Sequence, residues 1–75
     1  ERLFIFNCID CKKINDILKQ TQNIVFLFLH GDIQEIPSEI YNCHKLKQVY
    51  LNNTKIDEQK IKEHEMFLKI KIEKI

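Results

Sequence analysis

Residues 33–51 read I-Q-E-I-P-S-E-I-Y-N-C-H-K-L-K-Q-V-Y-L, and the apolar spacing of this stretch recurs along the chain. The pairs that occupy positions i and i+22 are Ile24 with Leu46, Leu27 with Val49, Leu29 with Leu51, and Asp32 with Thr54. The residues that continue the register upstream are Ile5, Asp10, Ile14 and Leu18. An internal period of this length indicates stacked supersecondary units, each of which buries its apolar face against the next.

The segment from Ile33 to Leu51 resembles the leucine-rich repeat (LRR) family in its I-P-x-x-I form, in which an L-x-x-L-x-L strand follows. The resemblance implies an α/β fold: a short right-handed LRR solenoid with a parallel sheet on its concave side and short helices or irregular segments on its convex side. It also implies a protein–protein interaction module that binds a partner on the concave face.

The length and charge of the chain limit its size and its partners. We interpret residues 1–75 as a single LRR domain, about three repeats of 21–22 residues plus a final strand, and we expect it to belong to a longer protein. The formal net charge is +1 and the basic residues are spread along the chain, so we predict no nucleic-acid partner. The longest apolar run is far shorter than a membrane span needs, so none is predicted.

Apolar alternation and β-branched or aromatic content predict four strands at residues 3–6, 26–29, 48–51 and 69–72. Between them, helical spacing predicts a helix over residues 12–19, a short turn of helix over 38–42 behind Pro37, and a helix over 57–65 capped by Asp57. Alternating strands and short helices favour a parallel sheet with right-handed crossovers.

The repeat is imperfect at its two ends. Asn7 takes the slot that Leu29 and Leu51 fill, so either the first unit bends early or its register is off by one. The last unit has the shorter period i to i+21 if Leu46, Val49 and Leu51 correspond to Phe67, Ile70 and Ile72. The positions that usually carry Asn in the family hold Asp10, Asp32 and Thr54, side chains that can supply part of a hydrogen-bond ladder between repeats.

Outward-facing strand residues are the candidates for function, since the consensus positions are used in the core and successive side chains point to opposite faces. Three outward columns are predicted: Phe4 with Phe26; Phe6 with Phe28 and Tyr50; and Cys8 with His30 and Asn52. The candidate binding residues on the concave face are Phe4, Phe6, Phe26, Phe28, His30, Gln48, Tyr50, Asn52, Lys69 and Lys71. An aromatic patch with a polar and basic rim is typical of a protein-binding surface.

Two interpretations of this aromatic face stay open. It binds a separate protein partner, or it packs against the chain's own copy or another part of a larger array, in which case the segment has a structural role. Cross-strand aromatic pairs also stabilise a sheet by roughly 0.2–1 kcal/mol each.

Metal binding, cofactor binding and catalysis have little support in the sequence. Cys8 and Cys11 have C-x-x-C spacing, but a single such pair is a weak signal; Cys11 aligns with the core position of Ile33, and Cys43 lies on the back of the next repeat. A redox pair is expected at a helix start, whereas this one follows a strand. We predict no metal, no cofactor and no enzymatic activity.

Overall fold

A computed structural model describes residues 1–7 and 10–75, which form a four-stranded parallel sheet. The strands are β1 (Arg2–Ile5), β2 (Phe26–His30), β3 (Gln48–Asn52) and β4 (Lys71–Lys74). The connections contain helix α1 (Cys11–Gln20), a 3-10 helix (Ser38–Asn42) and helix α2 (Glu58–Leu68). The strand order β1-β2-β3-β4 means that each connection advances the chain by one strand, and the predicted parallel sheet is confirmed.

One face of the sheet forms the hydrophobic core with the helices. The buried strand residues are Ile5, Leu27, Leu29, Val49, Leu51 and Ile72. They join residues of the connecting segments in one cluster, which includes Ile14, Leu18, Ile33, Ile40, Leu46, Ile56 and Ile61. Burying a side chain of this size contributes about 1.5–3 kcal/mol. The predicted core set of Leu27, Leu29, Leu46, Val49 and Leu51 is confirmed.

Side-chain caps set the starts of both α-helices. The Asp10 carboxylate accepts a hydrogen bond from the Lys12 backbone N–H at 2.9 Å, and Asp57 accepts one from Gln59 N–H at 2.9 Å. Such caps stabilise a helix by about 1 kcal/mol because they satisfy backbone donors that have no partner inside the helix. The predicted cap at Asp57 is confirmed.

The prediction for β4 is wrong by two residues. Helix α2 continues to Leu68, three residues past its predicted end, and Lys69 then adopts a left-handed conformation with φ of 57°. The Glu65 carboxylate accepts a hydrogen bond from the Ile72 N–H at 2.9 Å and so fixes where the following strand lies. Gln48 therefore pairs with Lys71, so that β3 and β4 are related by i to i+23 where i+21 was expected.

The register of β1 also differs from the prediction. Leu3 pairs with Leu27 and Phe4 with Phe28, a relation of i to i+24 where i+22 was expected. The longer connection accommodates the ten residues of α1. The expected i to i+22 relation between β2 and β3 is confirmed by the pairing of Phe28 with Tyr50.

Each of the first three strands is followed by a residue with positive φ. These residues are Asn7 (56°), Gly31 (144°) and Asn53 (56°), and the spacings between them equal those between the paired strand residues. Glycine and asparagine are the residue types that adopt this backbone region at least cost. The strand exits therefore share a positive φ at equivalent register positions, although Gly31 occupies a different backbone region from the two asparagines and the sequence pattern alone does not align Asn7 with Gly31.

The shift of β1 removes the expected register equivalence of Asp10 with Asp32, and Asp10 is the N-cap of α1, while the ladder through Asp10, Asp32 and Thr54 stays a prediction. Asp32 lies 3.7 Å from the Lys55 ammonium, and both side chains are more than half exposed. The Thr54 hydroxyl is buried without a hydrogen-bond partner among the described residues.

No helix within residues 1–7 and 10–75 has the length and apolar character needed to cross a membrane.

Candidate functional site

The sheet face opposite the core, here called the open face, consists of three rows of side chains that cross the strands. The first row is Arg2, Phe26, Gln48 and Lys71, and the second is Phe4, Phe28, Tyr50 and Glu73. In the third row His30 pairs with Asn52, and the Phe6 ring lies 5.9 Å from the His30 ring. All of these positions alternate with the buried residues of the same strands.

The structure corrects the predicted columns, although most of their residues remain on one face. Phe4 pairs with Phe28 in the sheet, where Phe26 was expected, although its ring lies 5.7 Å from the rings of both. The Phe6 ring, which was expected beside Phe28, lies 5.5 Å from the Phe28 ring and 5.9 Å from the His30 ring. Lys71 lies in the row of Gln48, not that of Tyr50. Lys69 is outside β4, at the left-handed C-cap of α2, so its place on this face was predicted wrongly. Cys8 lies outside the described residues.

The aromatic rings of β1, β2 and β3 form one continuous network. The Phe4 ring lies 5.7 Å from the rings of both Phe26 and Phe28, and the Phe6 ring lies 5.5 Å from that of Phe28. The Tyr50 ring contacts Phe26 edge-on at 5.2 Å. Separations and tilts of this kind are favourable for aromatic pairs, by about 0.5–1.5 kcal/mol beyond their buried area. The network therefore holds the rings in a defined arrangement before any partner binds.

Exposure of this network increases toward β1. Phe26, Phe28 and Tyr50 are half-buried, whereas Phe4 is 49% exposed and Phe6 is 61% exposed. The packing between rings therefore leaves substantial apolar area of the two β1 rings in water. Large apolar side chains that are clustered and exposed indicate an interaction surface, while single ones do not.

Two charged groups complete the open face, and the sequence reasoning missed both. The Arg2 guanidinium lies 5.7 Å from the centre of the Phe26 ring, a cation–π contact. Glu73 forms a 2.7 Å ion pair with Lys71, and this hydrogen bond, with the Glu73 charge, raises the pKa of Lys71. Arg2 precedes Phe4 by two residues, so the alternation that placed Phe4 also predicts its face.

His30 connects the exits of three strands. Its Nδ1 accepts a hydrogen bond from the Asn7 backbone N–H at 3.4 Å, and its Nε2 lies 3.3 Å from the Asn53 side-chain amide. The Asn7 N–H can only donate, so Nδ1 is the acceptor in the first contact, and the second contact joins Nε2 to the amide nitrogen of Asn53. These two contacts give His30 a structural role, and that role accounts for its position at the end of the aromatic network.

The thiols of the described residues lie away from the open face. Cys11 is the first residue of α1, and its thiol donates to the Glu35 carbonyl at 3.3 Å. The second cysteine of the C-x-x-C motif therefore lies at a helix start, where the sequence analysis expected a repeat turn after a strand. Cys43 is buried behind the sheet, and burial, followed by the nearby Glu39 charge, raises its pKa. Buried thiols with raised pKa values are unreactive because the thiolate is the nucleophile.

A second aromatic cluster lies on the opposite side of the molecule. Tyr41 and His64 share a 2.6 Å hydrogen bond, and the Tyr41 ring lies 5.4 Å from that of Phe67. Phe67 is 75% exposed and the neighbouring Met66 is also exposed. This cluster is therefore an exposed aromatic surface with which the open face can be compared. A groove of about 740 Å³ lies near the start of α1 and carries both signs of charge, from Asp10, Lys12, Asp32, Glu35 and Lys60. No group of three metal-ligating side chains occurs in the part of the chain that the structure describes.

Comparisons with protein-family models, with curated proteins and with solved structures found no significant match to this chain.

Proposed function

We propose that this chain is a leucine-rich repeat segment with a short right-handed solenoid fold, and that it binds a protein partner through the aromatic part of its open face. In this proposal the open face is the concave side, the helices lie on the convex side, and the role is binding rather than catalysis. The I-P-x-x-I pattern of residues 36–40 and the L-x-x-V-x-L pattern of residues 46–51, which resembles the family's L-x-x-L-x-L, support the family assignment.

Three structural features support the repeat interpretation. The strands follow chain order in one parallel sheet, and their partners are related by i+24, i+22 and i+23 in turn. The positive-φ residues after the first three strands recur with the spacings of those strands. Strands that pair in chain order at nearly constant offsets, each followed at the equivalent position by a positive-φ residue, are what a repeat architecture leads one to expect.

The exposure of Phe4 and Phe6 at the end of an ordered ring network is the observation that carries the binding proposal. Aromatic anchors dominate the binding energy of many interfaces because they bury large areas with few rotatable bonds. The network reduces the conformational entropy that these rings lose when a partner covers them. Gln48, Asn52 and Lys71 supply the polar rim that such interfaces carry around their apolar centre.

The test is capture of partners from an extract of the source organism, with the 75-residue chain as bait and two exposed-aromatic variants beside it. Phe6→Ser alters the open face, whereas Phe67→Ser removes an aromatic of similar exposure from α2. We expect a captured protein to be lost with Phe6→Ser and retained with Phe67→Ser. Loss with Phe67→Ser alone would move the binding site to the helical side and contradict the proposal.

A further inference from the structure

The outer edge of β1 is a second candidate surface, distinct from the open face. β1 ends the sheet and pairs only with β2 among the described strands. The Glu1 carbonyl accepts hydrogen bonds from the N–H groups of Val25 (2.8 Å) and Phe26 (3.2 Å). Backbone groups of successive strand residues point to alternate sides, so those of Leu3 and Ile5 point toward β2 and those of Arg2, Phe4 and Phe6 point outward.

The two edges of the sheet differ in how well they resist pairing with another strand. β4 reads K-I-E-K, and charged side chains on an edge strand discourage pairing. β1 reads R-L-F-I and is followed by Phe6, so its only charge lies at its start. An apolar edge strand with unpaired backbone groups is a template for strand addition.

We propose that the β1 edge pairs with the β1 edge of a second copy of this chain, in antiparallel orientation about a two-fold axis at Phe4. In this register Phe4 faces Phe4 of the second copy, Arg2 faces its Phe6, and Leu3 faces its Ile5. The residues whose backbone groups point outward then fall in the pairs that exchange both N–H···O bonds. The outward groups of Arg2, Phe4 and Phe6 are all satisfied, and a shift of the axis to Leu3 or Ile5 leaves some of them unpaired.

The side chains are self-complementary in the same register. Directly opposed residues share a face, so the Arg2 guanidinium of one copy lies beside the Phe6 ring of the other, a second cation–π pair like the one it makes with Phe26. Leu3 and Ile5 meet on the core side, and no like charges oppose each other. The net charge of +1 gives little repulsion between copies. This pairing is independent of the proposed function, since it joins two open faces edge to edge and leaves both uncovered.

Sedimentation equilibrium of the 75-residue chain and two variants at position 4 tests the pairing. We expect a concentration-dependent dimer of the 9.1 kDa chain. Phe4→Pro and Phe4→Val both remove the ring, but only proline removes the outward N–H. The proline variant should weaken dimerisation about a hundredfold more than the valine variant, because the two-fold axis deletes two hydrogen bonds at once. Circular dichroism checks that both variants fold.

Hydrogen exchange of the unaltered chain gives a second readout if Phe4→Pro does not fold. The Phe4 and Phe6 amides should gain protection as concentration rises, while exposed amides at the β4 edge should not. The proposal is overturned by a monomer at concentrations up to about 1 mM, by equal dimerisation of the two position-4 variants, or by open-ended growth that indicates β1 on β4. A dimer that is abolished by Phe28→Ser but not by Phe4→Pro would place self-association on the open face and also overturn it.

Discussion

At the β1 end of the sheet the open face carries Phe4 and Phe6, whereas at the β4 end it carries Lys71 and Glu73. Beneath both ends the core face is alike, since Ile5 and Ile72 are buried in the same cluster. This difference indicates that the strand residues facing the core determine the fold, whereas the strand residues that alternate with them, on the open face, can vary without changing it. The open face thus has an aromatic half on β1 and β2 and a charged half on β4. Because the binding proposal depends on the aromatic residues, the proposed binding surface lies on β1 and β2.

The largest expected effect tests whether the two halves share one core. Leu27 is fully buried beneath the aromatic half, and Leu27→Ala should cost about 2–5 kcal/mol of unfolding free energy through lost contacts and a cavity. Ile72→Ala, at the β4 edge, should fall near the lower end of that range because an edge site can relax more. Urea unfolding measures both. An unchanged midpoint for Leu27→Ala would show that the core assignment is wrong.

The next effect concerns binding to a captured partner. Phe6→Ser should weaken binding by about 2 kcal/mol or more if Phe6 is an anchor, with little loss of stability because the ring is largely exposed. Glu73→Ser on the charged half should change binding far less, since rim charges contribute little. Lys45→Ser and Glu39→Ser, behind the sheet, should have no effect. Titration calorimetry with the same partner ranks the variants, and equal losses at Phe6 and Glu73 would erase the distinction between the halves.

A smaller effect tests how the β1 end is held in place. Asn7 has φ of 56° and donates its backbone N–H to His30, a bond that both Asn7→Gly and Asn7→Ala retain. The alanine variant should lose about 1 kcal/mol relative to the glycine variant, because a Cβ atom disfavours the left-handed region. Thermal unfolding of the two variants gives the difference. Equal stability would mean that this strand exit is not constrained as the structure indicates.

The smallest effect is expected at the charged half. The Lys71–Glu73 pair is exposed to solvent, so Lys71→Met should leave the unfolding midpoint unchanged within error. Glu73 raises the pKa of Lys71 above its ordinary value of 10.5, so any stability from the pair is fully present below that pH. It is lost only as the pH rises through the raised value. A pH-dependent difference between the variant and the unaltered chain between pH 5 and 9, roughly, would contradict this.

The sequence predicts the centre of this fold better than its ends. β2 and β3 flank the I-P-x-x-I segment, whose apolar residues fix the spacing, and their register was predicted correctly. The connections through α1 and α2 have lengths set by helix ends, and Lys69 ends α2 without the glycine that usually marks such a position. Periodicity carries no signal for those ends.

Apart from Lys69, the candidate binding residues were placed on the correct face despite these errors, and the reason is physical. Both register errors were two residues, and a shift of two returns every side chain to the same face, whereas a shift of one reverses it. The strand partner of Phe4 was therefore wrong while its face was right. Glu73 was missed because the predicted β4 ended at Ile72, and the contact of Arg2 with Phe26 depends on a register that the period did not give.

Backbone amide chemical-shift mapping with a captured partner tests the central claim most directly. The account predicts that the largest changes fall on Phe4, Phe6 and residues 26–30, with small changes in β4. Changes centred on α2 and the 3-10 helix, around Tyr41 and Phe67, would place the partner on the other side of the molecule and contradict the account.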